Sequence, residues 1–248
     1  MDDLIRDFFV LILTEELVMQ DIILVYQFEI ANFGKMHSRD INLIVDKEKI
    51  DNIRSKNLPA LFLDRDGVII EDKHYLKNPE NVYLCKNIKF IINKASKQNW
   101  HIVVVTNQSG ISRKILSWKD FDLVNRRMIS LLGSSCPLTA IYANGHLKST
   151  SKKSWRKPNP GMIISSASEL NIDLSKSIIV GDRLSDLEAG ARSGIKKLVH
   201  VLTGHGKYER EMVSKNINKS GKFVKNGNEC NIELINDLDS FPYIYFDN

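Results

Sequence analysis

Asp64 and Asp66 stand two residues apart, directly after the four-residue apolar run Ala60 to Leu63, and Gly67 follows them. Carboxylates at that spacing can share a hard, oxygen-seeking cation while one of them serves as a nucleophile. Taken alone, an Asp-x-Asp-Gly stretch also reads as a polar turn. Two more strand-like runs end in polar groups: Thr106 and Asn107 close the run from His101, and Asp182 follows Ser177 to Val180. A fourth stretch, Arg156-Lys157-Pro158, brings cations to the entrance of a predicted helix. If the runs are parallel strands, their carboxyl ends share one edge and these groups converge on it. Carboxylates suit Mg²⁺, and hydroxyl, amide and cationic groups beside them suit a phosphate. The combination points to phosphoryl transfer. A carboxylate that meets an anionic phosphate needs fixed positive charge to offset their repulsion.

The elements that must hold these groups alternate along the chain. Ala60–Leu63 reads as a buried strand and Asn87–Asn99 as a helix with Ile88, Ile91, Ile92 and Ala95 on one face. A strand at His101–Val105 precedes a helix over Ser117–Leu132, capped by Ser117. Leu138–Ala143 is the next strand, and a helix from Pro160 to Leu170 follows a basic loop. Ser177–Val180 is a strand, Ser185–Arg192 a helix stopped by Gly194, and Lys197–Leu202 a strand. Phe223-Val224 and Ile232–Leu238 predict one more strand and one more helix. The alternation predicts an α/β fold: a doubly wound, mostly parallel sheet with helices on both faces and no large cap domain.

The stretches Asp-Arg-Asp-Gly-Val at 64–68, Thr-Asn-Gln-Ser-Gly-Ile at 106–111, Arg-Lys-Pro-x-Pro-Gly-Met at 156–162 and Val-Gly-Asp-Arg-x-x-Asp at 180–186 occur in that order. Together they resemble the haloacid dehalogenase superfamily of phosphatases. More narrowly, they are similar to the branch that holds heptose 1,7-bisphosphate and histidinol-phosphate phosphatases. The resemblance covers about residues 59–205 and implies an aspartyl-phosphate route. It implies Asp64 as the nucleophile, Asp66 as the general acid and base, and Asp64, Asp66 (through its carbonyl) and Asp182 as Mg²⁺ ligands. Thr106, Asn107, Gln108 and Ser109 are implied phosphate and substrate contacts. Lys157 matches the lysine that neutralises nucleophile and phosphoryl group, Arg156 a substrate contact, and Arg183 the place of a phosphate-touching lysine. Asp72 and Tyr75, with Lys73 and His74 between them, fall where relatives contact substrate. Asp186 is expected near the metal without ligating it. Relatives of the heptose type often carry a zinc loop of three cysteines and a histidine before Arg-Lys-Pro. Here the stretch 142–155 offers only His146, with Lys153 and Trp155 in the places of the last two cysteines. One histidine cannot build a tetrahedral zinc site, so no structural zinc is expected. A solvated basic loop is the plainer reading of Lys148, Lys152 and Lys153 than a substrate contact.

The remaining features set bounds. At 248 residues, 43% hydrophobic and 26% charged, the chain can bury a full core. A net charge of +5 suits an anionic small molecule without calling for nucleic acid. Cys85, Cys136 and Cys230 are far apart and odd in number, which points to a reducing, cytoplasmic setting. Apolar stretches near the N-terminus are broken by Glu15, Glu16 and Asp21, so no membrane span or signal peptide is expected. Residues 1–57 read as an N-terminal extension without chemistry of its own, its part from Ile41 to Lys56 a charged surface helix and linker; residues 58–248 read as the phosphatase domain. The expected substrate is a sugar bisphosphate such as D-glycero-D-manno-heptose 1,7-bisphosphate. The alternatives are histidinol phosphate, a DNA 3′-phosphate or a catalytically silent binding module, and the oligomeric state is left open.

Overall fold

In the computed structural model, the described residues are 40–44, 56–147 and 154–246. The chain divides into two compact units, 1–38 and 39–248, of which the second carries everything described below. No helix among the described residues is long and apolar enough to cross a membrane.

The second unit is built on one eight-stranded sheet. Its strands are β1 (Asp40–Ile44), β2 (Ala60–Leu63), β3 (His101–Asn107), β4 (Ala140–Asn144), β5 (Ile178–Gly181), β6 (Lys197–Val201), β7 (Lys222–Lys225) and β8 (Asn228–Ile235). The spatial order is β1-β4-β3-β2-β5-β6-β8-β7. The six strands from β4 to β8 run parallel, and β1 and β7 close the two edges antiparallel. The order reverses beside β2, where the crossovers lead one way to β3 and the other way to β5. That topological switch point opens the crevice in which such sheets bind ligands.

The helices are α1 (Ile88–Lys97), α2 (Ser109–Ser112), α3 (Trp118–Leu132), α4 (Gly161–Leu170), α5 (Leu184–Ser193) and α6 (Gly206–Ser214). All four residues of β2 are buried, as a central strand covered on both faces requires. Ala60 and Phe62 join Val103, Tyr142, Met162 and Leu187 in the core beneath α4 and α5. Leu61 and Leu63 point to the opposite face because successive strand residues alternate. Ser117 caps α3 as expected, its side chain accepting from Asp120 N while the Asp120 carboxylate accepts from Ser117 N. Gly194 ends α5 at φ 104°.

Two expectations are corrected. Residues 41–44, placed in a charged surface helix and linker, form with Asp40 the strand β1, which pairs antiparallel with β4 from Asp40 opposite Asn144 to Ile44 opposite Ala140. A short run with apolar Ile41 and Leu43 at alternate positions satisfies an open sheet edge better than one turn of helix would. Residues 45–55 lie outside the described residues. The helix over Ile232–Leu238 is likewise absent: Asn228–Ile235 is strand β8, and two short 3₁₀ turns, Leu238–Ser240 and Tyr243–Phe246, follow. The signal lay in Asn226-Gly227, whose φ values of 50° and 80° make the two-residue turn that joins β7 to β8. Helix α6 had no counterpart in the sequence reading.

Candidate active site

The carboxyl ends of β2, β3 and β5 deliver the predicted groups to one place. A cavity of about 830 Å³ is lined by Asp64, Asp66, Asp72, Tyr75, Thr106, Asn107, Gln108, Ser109, Arg156, Lys157 and Arg183. The site residues expected from the sequence are on that wall except Lys73, which does not line it, and Asp182, which is fully buried beneath it. Asp182 is nonetheless part of the group, since one oxygen from each of Asp64, Asp182 and Asp186 falls within 4.8 Å of the others.

Lys157 sits at the centre of this cluster. Its Nζ lies 3.0 Å from Asp64 Oδ1 and 2.6 Å from Asp186 Oδ1, and it donates to Val105 O at 2.7 Å. The ammonium is buried, with only 3% of the residue exposed. Burial pulls its pKa down, but Asp186 and Asp64 outweigh burial and hold it above its ordinary value. Its main chain is fixed as well, for Lys157 N donates to Asn107 Oδ1 at 3.0 Å and Asn107 Nδ2 returns a bond to Lys157 O at 3.1 Å. Asn107 thereby ties the end of β3 to the Arg-Lys-Pro loop.

Asp64 Oδ1 also accepts from Arg65 N at 2.8 Å, which leaves Oδ2 less engaged. The Asp66 carboxylate accepts from Arg65 Nε at 3.1 Å, Arg65 Nη2 at 3.2 Å and Gln108 Nε2 at 2.9 Å. Gln108 Nε2 also reaches Thr106 Oγ1 at 2.8 Å, so the β3 and β2 ends are cross-linked. Arg65 was not singled out from the sequence. It is almost fully buried, its Nη1 bonds Asn125 Oδ1 at 3.1 Å and its guanidinium lies 5.0 Å from the Phe121 ring centroid. Both partners are on α3, some sixty residues away, and no local signal announces them.

Asp186, expected near a metal without ligating it, has both oxygens occupied: Oδ1 faces Lys157 and Oδ2 accepts from Arg183 N at 3.0 Å. Asp182 differs. Its Oδ2 accepts from His205 N at 2.6 Å, while its Oδ1 is buried with no hydrogen-bond partner among the described residues. Burial pushes the Asp64 carboxyl up to about 7 against the pull of Lys157. Burial, then the charges of Asp64 and Asp186, pushes Asp182 up to about 8. Two buried carboxyls held near neutrality beside an orphaned oxygen are what a site built for a divalent cation shows without its charge, because a bound ion reverses that pKa logic. The all-oxygen donor set fits a hard ion such as Mg²⁺.

A loop after β6 completes the floor and was also missed. Gly67 at φ 88° and Gly204 at φ 54° pack against each other with the Asp182 carboxylate alongside. A Cβ on Gly204 would stand 2.2 Å from Asp182 Oδ2 and 2.9 Å from Gly67 Cα. Thr203 Oγ1 donates to Gly67 O and binds the two loops together. The signal available was Thr-Gly-His-Gly at 203–206, two glycines around a histidine just past a strand end. The basic residues Lys148, Lys152 and Lys153 lie outside the described residues. Trp155 packs on Tyr142, with ring centroids 5.4 Å apart.

Comparison with known proteins places the chain in a family. The HAD-hydrolase-like family model matches residues 154–229. The D-glycero-beta-D-manno-heptose-1,7-bisphosphate 7-phosphatase of Mesorhizobium japonicum is 39% identical over 146 residues, which are 56% of this chain and 67% of that protein. The D-glycero-alpha-D-manno-heptose-1,7-bisphosphate 7-phosphatase of Photorhabdus laumondii is 33% identical over 163 residues, 62% of this chain and 87% of the relative. The chain belongs to the haloacid dehalogenase-like phosphatases. A solved member, the D,D-heptose 1,7-bisphosphate phosphatase of B. bronchiseptica complexed with magnesium and phosphate, superposes with a TM-score of 0.59 at 26% identity. That match covers 71% of this chain and 92% of the other. As a haloacid dehalogenase-like phosphatase the chain is a phosphoric monoester hydrolase on an α/β scaffold.

The glycine contact gives a direct check on the floor of the site. Gly204→Ala overpacks the Asp182 carboxylate and is expected to cost about 1–3 kcal/mol. In a domain of this size that lowers the melting temperature by roughly 3–10 °C. The displaced carboxylate should also raise the cation concentration needed for half-maximal activity. A calorimetric scan with a metal titration measures both.

Proposed function

We propose that this phosphatase hydrolyses a heptose bisphosphate through a phosphoaspartyl intermediate on Asp64. The observation that carries the proposal is the buried Lys157 ammonium held between Asp64 and Asp186 under one cavity, with the unpartnered oxygen of Asp182 beside them. Asp64 attacks phosphorus in line, the P–O bond to the sugar breaks, and Asp66 gives its proton to the departing oxygen. Asp66 then takes a proton from water as that water attacks the phosphoaspartate, releasing inorganic phosphate and the free Asp64 carboxylate. Lys157 offsets the negative charge of nucleophile and phosphoryl group throughout. Asp64, Asp182 and the main-chain carbonyl of Asp66 would hold Mg²⁺, which when bound adds charge stabilisation at the phosphoryl oxygens. Thr106, Asn107 and Ser109 stand at the strand end for contacts to the phosphoryl group.

The rim supports a substrate with a second anionic group. Arg156 and Arg183 both line the cavity, and burial with the neighbouring charges of Arg113 and Arg183 pulls Arg156 below its ordinary pKa. Like charges at close range are relieved by an anion, and the planar guanidinium fork fits phosphate. The names of the matched relatives include both anomers, and the substrate here is accordingly assigned as the heptose 1,7-bisphosphate without anomeric choice. Three free, buried cysteines support a cytoplasmic setting, and because β1 joins the sheet the phosphatase domain is assigned to residues 39–248, with residues 1–38 as its extension. Phosphate release should be greatest with heptose 1,7-bisphosphate among phosphorylated sugars and histidinol phosphate, and should vanish with chelator. Preference for histidinol phosphate, or no release from any of them, would overturn the substrate assignment. In the same assay Asp182→Asn should need at least about tenfold more Mg²⁺, as even loss of a ligand's supporting partner does in metal sites; unchanged metal dependence would remove Asp182 from the ligand set.

A further inference from the structure

The cavity carries a second cluster of donor atoms that the phosphoryl chemistry does not use. Asp72, His74 and His205 all line its wall, and one ligand atom from each falls within 4.8 Å of the other two. His205 Nε2 lies 3.0 Å from Asp72 Oδ2, and the His74 and His205 ring centroids are 6.5 Å apart. The positions are fixed from behind. Asp72 Oδ1 accepts from His74 N at 2.9 Å, and His205 N is held by the buried Asp182 carboxylate. His74 and Tyr75 have φ values of 51° and 58°, a left-handed conformation that costs a side-chain-bearing residue about 1–3 kcal/mol. An Asp72–His205 pair alone would not require His74 to be turned into that conformation beside it.

The donor set differs in kind from the deeper one. Two imidazole nitrogens and one carboxylate suit a borderline ion such as Zn²⁺ or Co²⁺, whereas three carboxylates suit Mg²⁺. We propose that Asp72, His74 and His205 bind a borderline divalent cation at the cavity mouth, separate from the carboxylate cluster of Asp64 and Asp182. Three protein ligands leave coordination positions open, and since all three residues line the cavity those positions face a bound ligand. An oxyanion on that ligand is the group such an ion takes. This site is also separate from the stretch 142–155, in which no structural zinc is expected.

Cobalt reports on the site without reference to turnover. The full chain, held in excess Mg²⁺ so that the carboxylate cluster is filled, is titrated with Co²⁺ while visible absorption is recorded. One equivalent should saturate a ligand-field spectrum, and Zn²⁺ should bleach it. His74→Ala and His205→Gln should each weaken cobalt binding at least about tenfold, the loss already found when only a ligand's supporting partner is removed. His74 is exposed, so its variant tests the site without disturbing the core, and circular dichroism checks that both variants fold. Asp182→Asn should keep the spectrum, because its amide oxygen can still accept from His205 N. The proposal is overturned if no saturable spectrum forms under excess Mg²⁺, if the spectrum survives both histidine substitutions, or if it is lost in Asp182→Asn.

Discussion

Asp64→Asn should lower kcat by on the order of 10⁶-fold, the loss found when another covalent catalyst is stripped of its nucleophile, and should leave the protein folded. The amide keeps the volume of the carboxylate and can still accept from Arg65 N through its oxygen, but it cannot form an acyl phosphate. The stability side of the prediction follows from Lys157. Removing the Asp64 charge does not strand the ammonium, because Asp186 at 2.6 Å and Val105 O at 2.7 Å remain. It also removes one of the negative charges that raise the Asp182 pKa. The melting temperature of Asp64→Asn should therefore match or exceed that of the parent. Acid quenching of the parent during turnover should trap phosphoprotein, and the variant should trap none. A variant with kcat within tenfold of the parent would exclude Asp64 as the nucleophile.

Lys157→Met should damage both fold and activity, for a different reason in each case. The thioether has a similar length but leaves Asp64 and Asp186 facing each other in a buried site with no cation between them. Breaking a buried ion pair by removing one partner costs about 3–5 kcal/mol, because the remaining charge is uncompensated. For a domain of this size the melting temperature should fall by roughly 10 °C or more. The double variant Lys157→Met with Asp186→Asn separates the two effects. Its amide oxygen can still accept from Arg183 N, so the α5 entrance survives while one buried charge is gone. Melting temperature should recover by several degrees, measured by calorimetry, whereas kcat should stay at the level of Lys157→Met. Recovery of activity along with stability would show that Lys157 serves only the fold.

The same residues show why some parts of the site are visible in sequence and others are not. Asp64, Thr106 and Asp182 were legible because each closes an apolar run, and a parallel sheet sends all strand carboxyl ends to one edge. The left-handed Asn226-Gly227 turn was equally local and correctly specifies the hairpin, although Ile232–Leu238 alone had suggested a helix. Arg65 was illegible by contrast. Nothing around it in the chain says that it is buried, since Phe121 and Asn125 come to it only when α3 packs against the loop after β2.

By itself the sequence determined the α/β alternation, the edge on which the chemistry gathers and the acid, amide and ammonium groups found there. Those follow from strand and helix periods and from residues adjacent in the chain. Only the tertiary structure decided the placement of β1 against β4, the Lys157 bridge between Asp64 and Asp186, the orphaned oxygen of Asp182 and the grouping of Asp72 and His74 with His205. Each of these joins segments whose separation along the chain carries no trace of the contact. Asp64, Lys157 and Asp182 acquire their shifted pKa values only once folding removes the water between them.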